Sequence, residues 1–212
     1  TYMKTLYLST FLFLLIFPAI YAQDIVKLPE PNKTGGKPLM QTLNERQSNR
    51  DFIDKELTQQ QLSDLLWAAY GINRPESGKH TSPTSRNVQD MEIYVLTKNG
   101  TYIYLPNEHA LKNITTKDMR ELTGKQDFVK TAAVNLVYVS DFSKAGNGTD
   151  EAKTITAATH CGFIGQNVYL YCASEGLISV FRAYIDHEEI AKALNLTKDK
   201  HVIYCQTVGY SK

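Results

Sequence analysis

Arg46, Ser48 and Arg50 alternate within the stretch Glu45-Arg46-Gln47-Ser48-Asn49-Arg50. In extended chain, alternate side chains share a side, so this spacing offers two guanidinium groups and a hydroxyl to one anion, and phosphate suits such donors. Downstream, Pro83-Thr84-Ser85-Arg86-Asn87 collects short hydroxyl and amide side chains, which can donate to and accept from polyol and ring-edge groups. A third piece is Ser174-Glu175-Gly176, where a glycine lets a ligand come close to backbone N–H groups because no Cβ stands in the way. Taken singly, the three read sooner as a solvated stretch, a turn and a helix stop.

These pieces need positioning, and the pattern between them supplies the elements. Pro38 suits a first helical position, and Leu39, Met40 and Leu43 then form the inward face of a short helix. Thr58 with Gln61 reads as a capping box, with Leu57 stapling onto Leu62, for a helix whose core face is Leu62, Leu65, Leu66, Ala69 and Tyr70. Residues 92–96 and 102–105 flank Asn99-Gly100, a pair that tolerates the positive φ of a tight hairpin. Residues 134–139 are apolar at almost every position, as in a strand covered on both faces, so this strand should be central. A long helix follows over 151–173. Its small residues Ala158, Cys161, Gly162 and Gly165 form a strip on which another helix could pack, and Gly176 supplies a left-handed stop. Residues 177–184 read as a strand, Asp186 with Glu189 starts a helix to about 194, and residues 201–208 close the sheet. The class is α+β, without the regular alternation of a doubly wound fold.

The first residues differ in character. After Thr1, Tyr2 and Met3 come Lys4, an apolar run over 6–17, Pro18 and the small Ala22. That layout is a secretory signal peptide, too short to span a bilayer, which takes roughly 20 apolar residues. Cleavage after Ala22 would start the mature protein near Gln23, exported by a Gram-negative bacterium to the periplasm or beyond, with no stable membrane insertion. Residues 23–36 read as an extended arm rich in Pro, Gly and polar types, and residues 37–212 as one domain. Charge is balanced at 23 Lys plus Arg against 22 Asp plus Glu, so nothing points to a nucleic-acid partner. Cys161, Cys172 and Cys205 are odd in number and set in apolar sequence; they read as core residues with at most one bridge. His160-Cys161 has no second ligand pair at metal spacing, and no Gly-x-Gly-x-x-Gly marks a separate dinucleotide domain.

The three chemical segments, in this order, resemble the nitroreductase family, and the resemblance runs from about residue 39 to residue 210. The family's Arg-x-Ser-x-Arg segment, which binds FMN phosphate and ribityl, is matched by Arg46, Ser48 and Arg50 with Gln47 between. Its Pro-Ser-x-x-Asn loop, contributed by the other subunit, is matched by Pro83, Thr84, Ser85 and Asn87, with Thr84 in place of the usual serine. Its Glu-Gly turn beside the flavin N5 is matched by Glu175 and Gly176, with Ser174 just before. Residues 65–74 are similar to a branch that holds exported bacterial members and relatives of thiazoline-forming peptide dehydrogenases.

The resemblance implies a central mixed or antiparallel sheet flanked by helices, in an intertwined homodimer with two FMN sites, each built by both chains. It implies hydride transfer through flavin N5 in a ping-pong cycle, with NADH or NADPH as donor and nitroaromatics, quinones or a related small molecule as acceptor. A peptide or azoline dehydrogenase and a non-catalytic flavin-binding protein remain as alternatives. No acid–base side chain is implied: the Glu175 and Gly176 amides would support N5, and Arg50 would face the charge that builds near N1 and O2. Many relatives continue past the point matching Lys212 into a basic tail, so weaker retention of FMN is an expectation here.

Overall fold

A computed structural model describes residues 25–212; the signal-peptide reading of residues 1–22 lies outside them. The chain opens with β1 (Ile25–Lys27), α1 (Leu39–Glu45), β2 (Phe52–Ile53) and α2 (Gln59–Tyr70). A small ribbon, β3 (Ile72–Arg74) with β4 (Lys79–His80), precedes the meander β5 (Met91–Thr97), β6 (Gly100–Leu105) and β7 (Ala110–Thr115). Then come α3 (Phe128–Thr131), β8 (Val134–Asp141), α4 (Asp150–Glu175), β9 (Ile178–Arg182), α5 (His187–Ala193) and β10 (Lys200–Ser211).

The main sheet runs in the order β1-β7-β6-β5-β8-β10-β2, with β9 also paired to β10. All its named strand pairs are antiparallel. As its sequence predicts, β8 is central, and its two sets of side chains go to different cores. Val134, Leu136 and Tyr138 face a cluster with α2 and α4, while Val137 and Val139 face one with Ile190 of α5 and Leu194 just after it. The Thr58–Gln61 capping box opens α2, and Gly176 stops α4 in the left-handed region at φ 69°.

Three expectations are corrected. Residues 25–36 are not a loose arm: β1 pairs with β7, Asn32 donates its backbone N–H to Asp64 at 2.7 Å, and Ser63 donates its hydroxyl to the Pro29 carbonyl. The cause is the meander, whose last strand would otherwise present unpaired backbone groups at the sheet margin. On α1, Leu39, Met40 and Leu43 point outward at 62%, 75% and 42% exposure, and Thr42 is the buried residue. Helical periodicity identified the apolar stripe but assigned it to the wrong side, and Pro38 caps the helix rather than opening it.

The small-residue strip of α4 also divides. Cys161 and Gly165 face the sheet, where a Cβ at Gly165 would stand 2.6 Å from the Phe181 ring. Gly162 faces outward with open space around it, between exposed Ile155 and Phe163. The inner half therefore lets α4 lie close on β9 and β10, and only the outer half is available to another helix.

Two buried polar networks fix β9. Gln206 accepts from the Tyr138 hydroxyl at 2.6 Å and donates to the Gly165 carbonyl and the Ser179 hydroxyl. Arg182, 4% exposed, donates to Thr207, to Asn135 and to the Thr123 carbonyl. It forms no ion pair with a carboxylate among the described residues, and burial pulls its pKa down. All three cysteines are buried and unbridged.

Candidate functional site

At Arg46 the chain leaves α1 and becomes extended (φ −59°, ψ 123°). Ser48 then makes a parallel bridge with Ser179 of β9, and Asn49 donates its N–H to the Ser179 carbonyl at 3.0 Å. The alternation expected of this segment appears in its contacts with Tyr169 on α4. The Arg46 guanidinium sits 5.2 Å from the Tyr169 ring centroid, and the Ser48 and Tyr169 hydroxyls are 2.7 Å apart. Tyr169 also accepts the Phe181 N–H at 2.7 Å, so one phenol links this segment, α4 and β9. Gln47 and Arg50 are exposed. Neither Arg46 nor Arg50 forms an ion pair with a carboxylate among the described residues, so both charges are available to an anion.

Glu175 ends α4 and Gly176 follows it. A Cβ at Gly176 would meet no atom within 4 Å among the described residues, the open approach that a planar ligand needs. Ser174 is engaged within the chain, accepting the Lys37 N–H at 2.9 Å and donating to Glu175 at 2.9 Å. Beside Ser174 and Glu175 lies a groove of about 490 Å³ whose walls include Trp67, Leu170 and Tyr171, under the turn at Gly35 and Gly36. The 46–50 and 83–87 segments lie outside this groove.

The 83–87 loop stands elsewhere on α4. Thr84 accepts the Gln89 N–H at 3.0 Å, and Ser85 donates its N–H to His160 Nε2 at 2.8 Å. Pro83, Ser85 and Asn87 are exposed, and Arg86, Asn87 and Gln89 all hold left-handed φ values of 48–56°, which costs non-glycine residues energy unless the surroundings impose it. The first residue of this turn, Ser85, is held by His160. Its Nδ1 contacts Asp90 at 2.8 Å, and Asp90 also accepts from the Ser140 hydroxyl at 2.6 Å. Burial would push the Asp90 carboxyl up, but hydrogen bonds from His160 and Ser140 hold it below the usual range. At about 1.5 Å per residue, His160 precedes Tyr169 by roughly 13 Å along α4 and Glu175 by roughly 22 Å. A single chain therefore brings the first and third segments to one end of α4 and leaves the second apart.

Sequence reasoning missed Tyr169 and the Asp90–His160 pair. Tyr169 carries no local mark beyond its ring, and the partner of His160 lies 70 positions away.

The profile of the nitroreductase family matches residues 43–210, most of the described chain and all three segments. The chain belongs to the nitroreductase family. A protein of Methanocaldococcus jannaschii, provisionally named a nitroreductase, is 30% identical over 161 residues, 71% of this chain and 81% of its own. The crystal structure of a Ralstonia eutropha JMP134 protein, also provisionally named a nitroreductase, superposes with a TM-score of 0.84 at 37% identity, covering 92% of this chain and 93% of that one. The NADPH:FMN oxidoreductase of Vibrio harveyi, crystallised with NAD+, shares the fold at TM-score 0.61 and 19% identity, over 82% of this chain and 69% of that one. As a nitroreductase-family member the chain is an oxidoreductase. No described helix is long and apolar enough to cross a membrane, and no cluster among the described residues could hold a metal ion.

Proposed function

We propose that this protein is a homodimeric FMN-dependent oxidoreductase of small planar acceptors such as quinones and nitroaromatics, exported after cleavage near Ala22. The observation that carries the reading is the split site. Arg46, Ser48, Glu175 and Gly176 gather towards one end of α4 while the 83–87 loop is anchored at His160, roughly 13 Å along the helix from Tyr169 and roughly 22 Å from Glu175, so a site that uses all three segments needs the loop of a second copy. The outward apolar residues Leu39, Met40 and Leu43 of α1, and Ile155 and Phe163 of α4, support a surface that a partner covers.

The residues present fit the cofactor. The unpaired guanidinium groups of Arg46 and Arg50 would hold its phosphate in charge-assisted hydrogen bonds, with Ser48 fixed beside them by Tyr169. The open flank of Gly176 would admit the flavin ring edge, and the backbone at Glu175 and Gly176 would orient it. Trp67 and Tyr171 give the neighbouring groove aromatic walls for a flat acceptor. FMN held there would supply two-electron, ping-pong chemistry between NADH or NADPH and the acceptor. The protein's part is to bind, orient and exclude water.

The test is an absorbance spectrum of the protein purified from residue 23, with its sedimentation mass. A dimer with about one FMN per chain, bleached anaerobically by NADH or NADPH and restored by menadione, is the expected result. A protein that stays colourless when FMN is added would sink the proposal. Export is tested separately by the N-terminal sequence of protein recovered from the periplasm, expected to begin near Gln23.

Gly176→Ala gives a finer test. Because nothing among the described residues lies near the added methyl, stability should fall only by the left-handed penalty of about 1 kcal/mol. FMN affinity should fall about tenfold as the methyl enters the ring's approach. Titration of the apoprotein, read against a thermal melt, separates the two effects; equal FMN affinity would remove Gly176 from the site.

A further inference from the structure

The groove beside Ser174 and Glu175 runs between α2 and α4, and Asn167 of α4 lines it roughly 10 Å along the helix from Ser174. The Asn167 amide nitrogen donates to the Ala68 carbonyl at 3.0 Å and to the Ser82 hydroxyl at 2.9 Å. A carbonyl can only accept, so turning the amide round would set oxygen against oxygen. The Ser82 hydroxyl is fixed in the same sense, because it donates its proton to the Ala69 carbonyl at 2.8 Å. Both amide protons of Asn167 are thereby used, and its Oδ1 accepts no hydrogen bond among the described residues.

Other polar groups around the groove are already engaged. Trp67 donates its indole N–H to the Ile72 carbonyl and Tyr171 its hydroxyl to the Gln61 carbonyl, so both present only rings. Lys33 is paired with Glu30 and Lys37 with Glu45, each at 2.6 Å. Asp64 accepts the backbone and side-chain N–H groups of Asn32 and the Gln60 amide besides. Away from Glu175, the groove thus offers two aromatic rings and an open carbonyl acceptor.

We infer that Asn167 is a specificity residue: its fixed amide oxygen selects flat acceptors that carry an uncharged hydrogen-bond donor, an amide or a hydroxyl, at the end remote from the group being reduced. This rests on the reading of the groove as the acceptor's site. A ligand without that donor displaces water from Oδ1 and leaves the oxygen without a partner, which costs binding. A ligand carboxylate in the same place would set its own lone pairs against Oδ1 and the Asp64 carboxylate.

The experiment is calorimetric titration of the protein purified from residue 23 and supplied with FMN, without any nicotinamide nucleotide. Two matched pairs of ligands are compared: para-nitrobenzamide against methyl para-nitrobenzoate, and para-nitrobenzyl alcohol against its methyl ether. In each pair the member with the donor should bind about five- to tenfold tighter, the worth of one neutral hydrogen bond. In Asn167→Leu the ratio within each pair should fall to about one. A general loosening of the groove would weaken both members alike and leave the ratio where it was, so the ratio separates the acceptor from a structural role of the side chain. The wild-type ratios need no variant. Equal affinities within either pair, or no binding of any of the four, overturn the inference, as does a ratio kept in Asn167→Leu.

Adding NADH or NADPH then tests the redox reading by itself. In turnover the difference within a pair should lie in KM and not in kcat, since the donor sits away from the reacting group. If the binding ratios hold and the bound nitro compounds are not reduced, recognition by Asn167 stands and the acceptor reading fails. If the compounds are reduced while their affinities within a pair are equal, the oxidoreductase stands and Asn167 does not select.

Discussion

With Arg46 and Arg50 both changed to alanine, FMN affinity is expected to fall by about 100-fold or more. Each guanidinium contact to phosphate is worth about 1.5–3 kcal/mol, and Arg46 and Arg50 are the cations of the segment that ends beside Tyr169. Stability should change far less. Arg50 is exposed and makes no side-chain hydrogen bond among the described residues, and Arg46 contributes its stack on Tyr169, worth about 0.5–1 kcal/mol. The apoprotein melt should therefore shift by only a few degrees while the FMN titration changes by orders of magnitude. Affinity within threefold of wild type would place the phosphate elsewhere.

Arg182→Met should give the largest loss of stability with the smallest change in charge at the site. The substitution leaves the Thr207 hydroxyl and the Thr123 carbonyl without their shared donor in a buried place, while the Asn135 oxygen keeps the Thr207 hydroxyl at 2.6 Å. A buried polar group without its partner costs about 1–3 kcal/mol, and methionine recovers part of the loss by packing on Phe128, over which the guanidinium now lies at 5.8 Å. A net cost of about 3 kcal/mol is expected, or roughly 10 °C in a thermal melt of a domain this size. A shift under about 2 °C would mean that the stranded acceptors find other donors, and that Arg182 does not tie β9 to β8 and β10.

What was legible in the sequence was what depends on near neighbours or on burial from both sides. The Thr58–Gln61 box and the Gly176 stop are local hydrogen-bond and backbone requirements, so they could be read directly. The continuous apolar run of β8 could be read because two cores claim its alternate residues. β7 escaped because Ala110-Leu111-Lys112-Asn113-Ile114-Thr115 is short and half polar, and it is a strand through its pairing with β6 and β1. The outward turn of Leu39, Met40 and Leu43 was illegible for a different reason: periodicity defines a stripe but not whether this chain or another covers it. At the site, alternation was enough to bring Arg46 and Ser48 to one side. Nothing within a few residues could have indicated that Tyr169 would receive them, or that Asp90 would hold the imidazole behind Ser85.

The three unbridged cysteines have a consequence of their own. Thiolate, not thiol, attacks disulfides and oxidants, and burial pushes all three thiols up, Cys205 to about 12 and Cys161 and Cys172 further still. At neutral pH almost no thiolate exists, and the sulfur atoms are out of reach of a bulky exchange partner. The three thiols of the folded chain are thus poor targets for disulfide exchange or oxidation. Its architecture holds no bridge for an oxidising compartment to make or a reducing one to break.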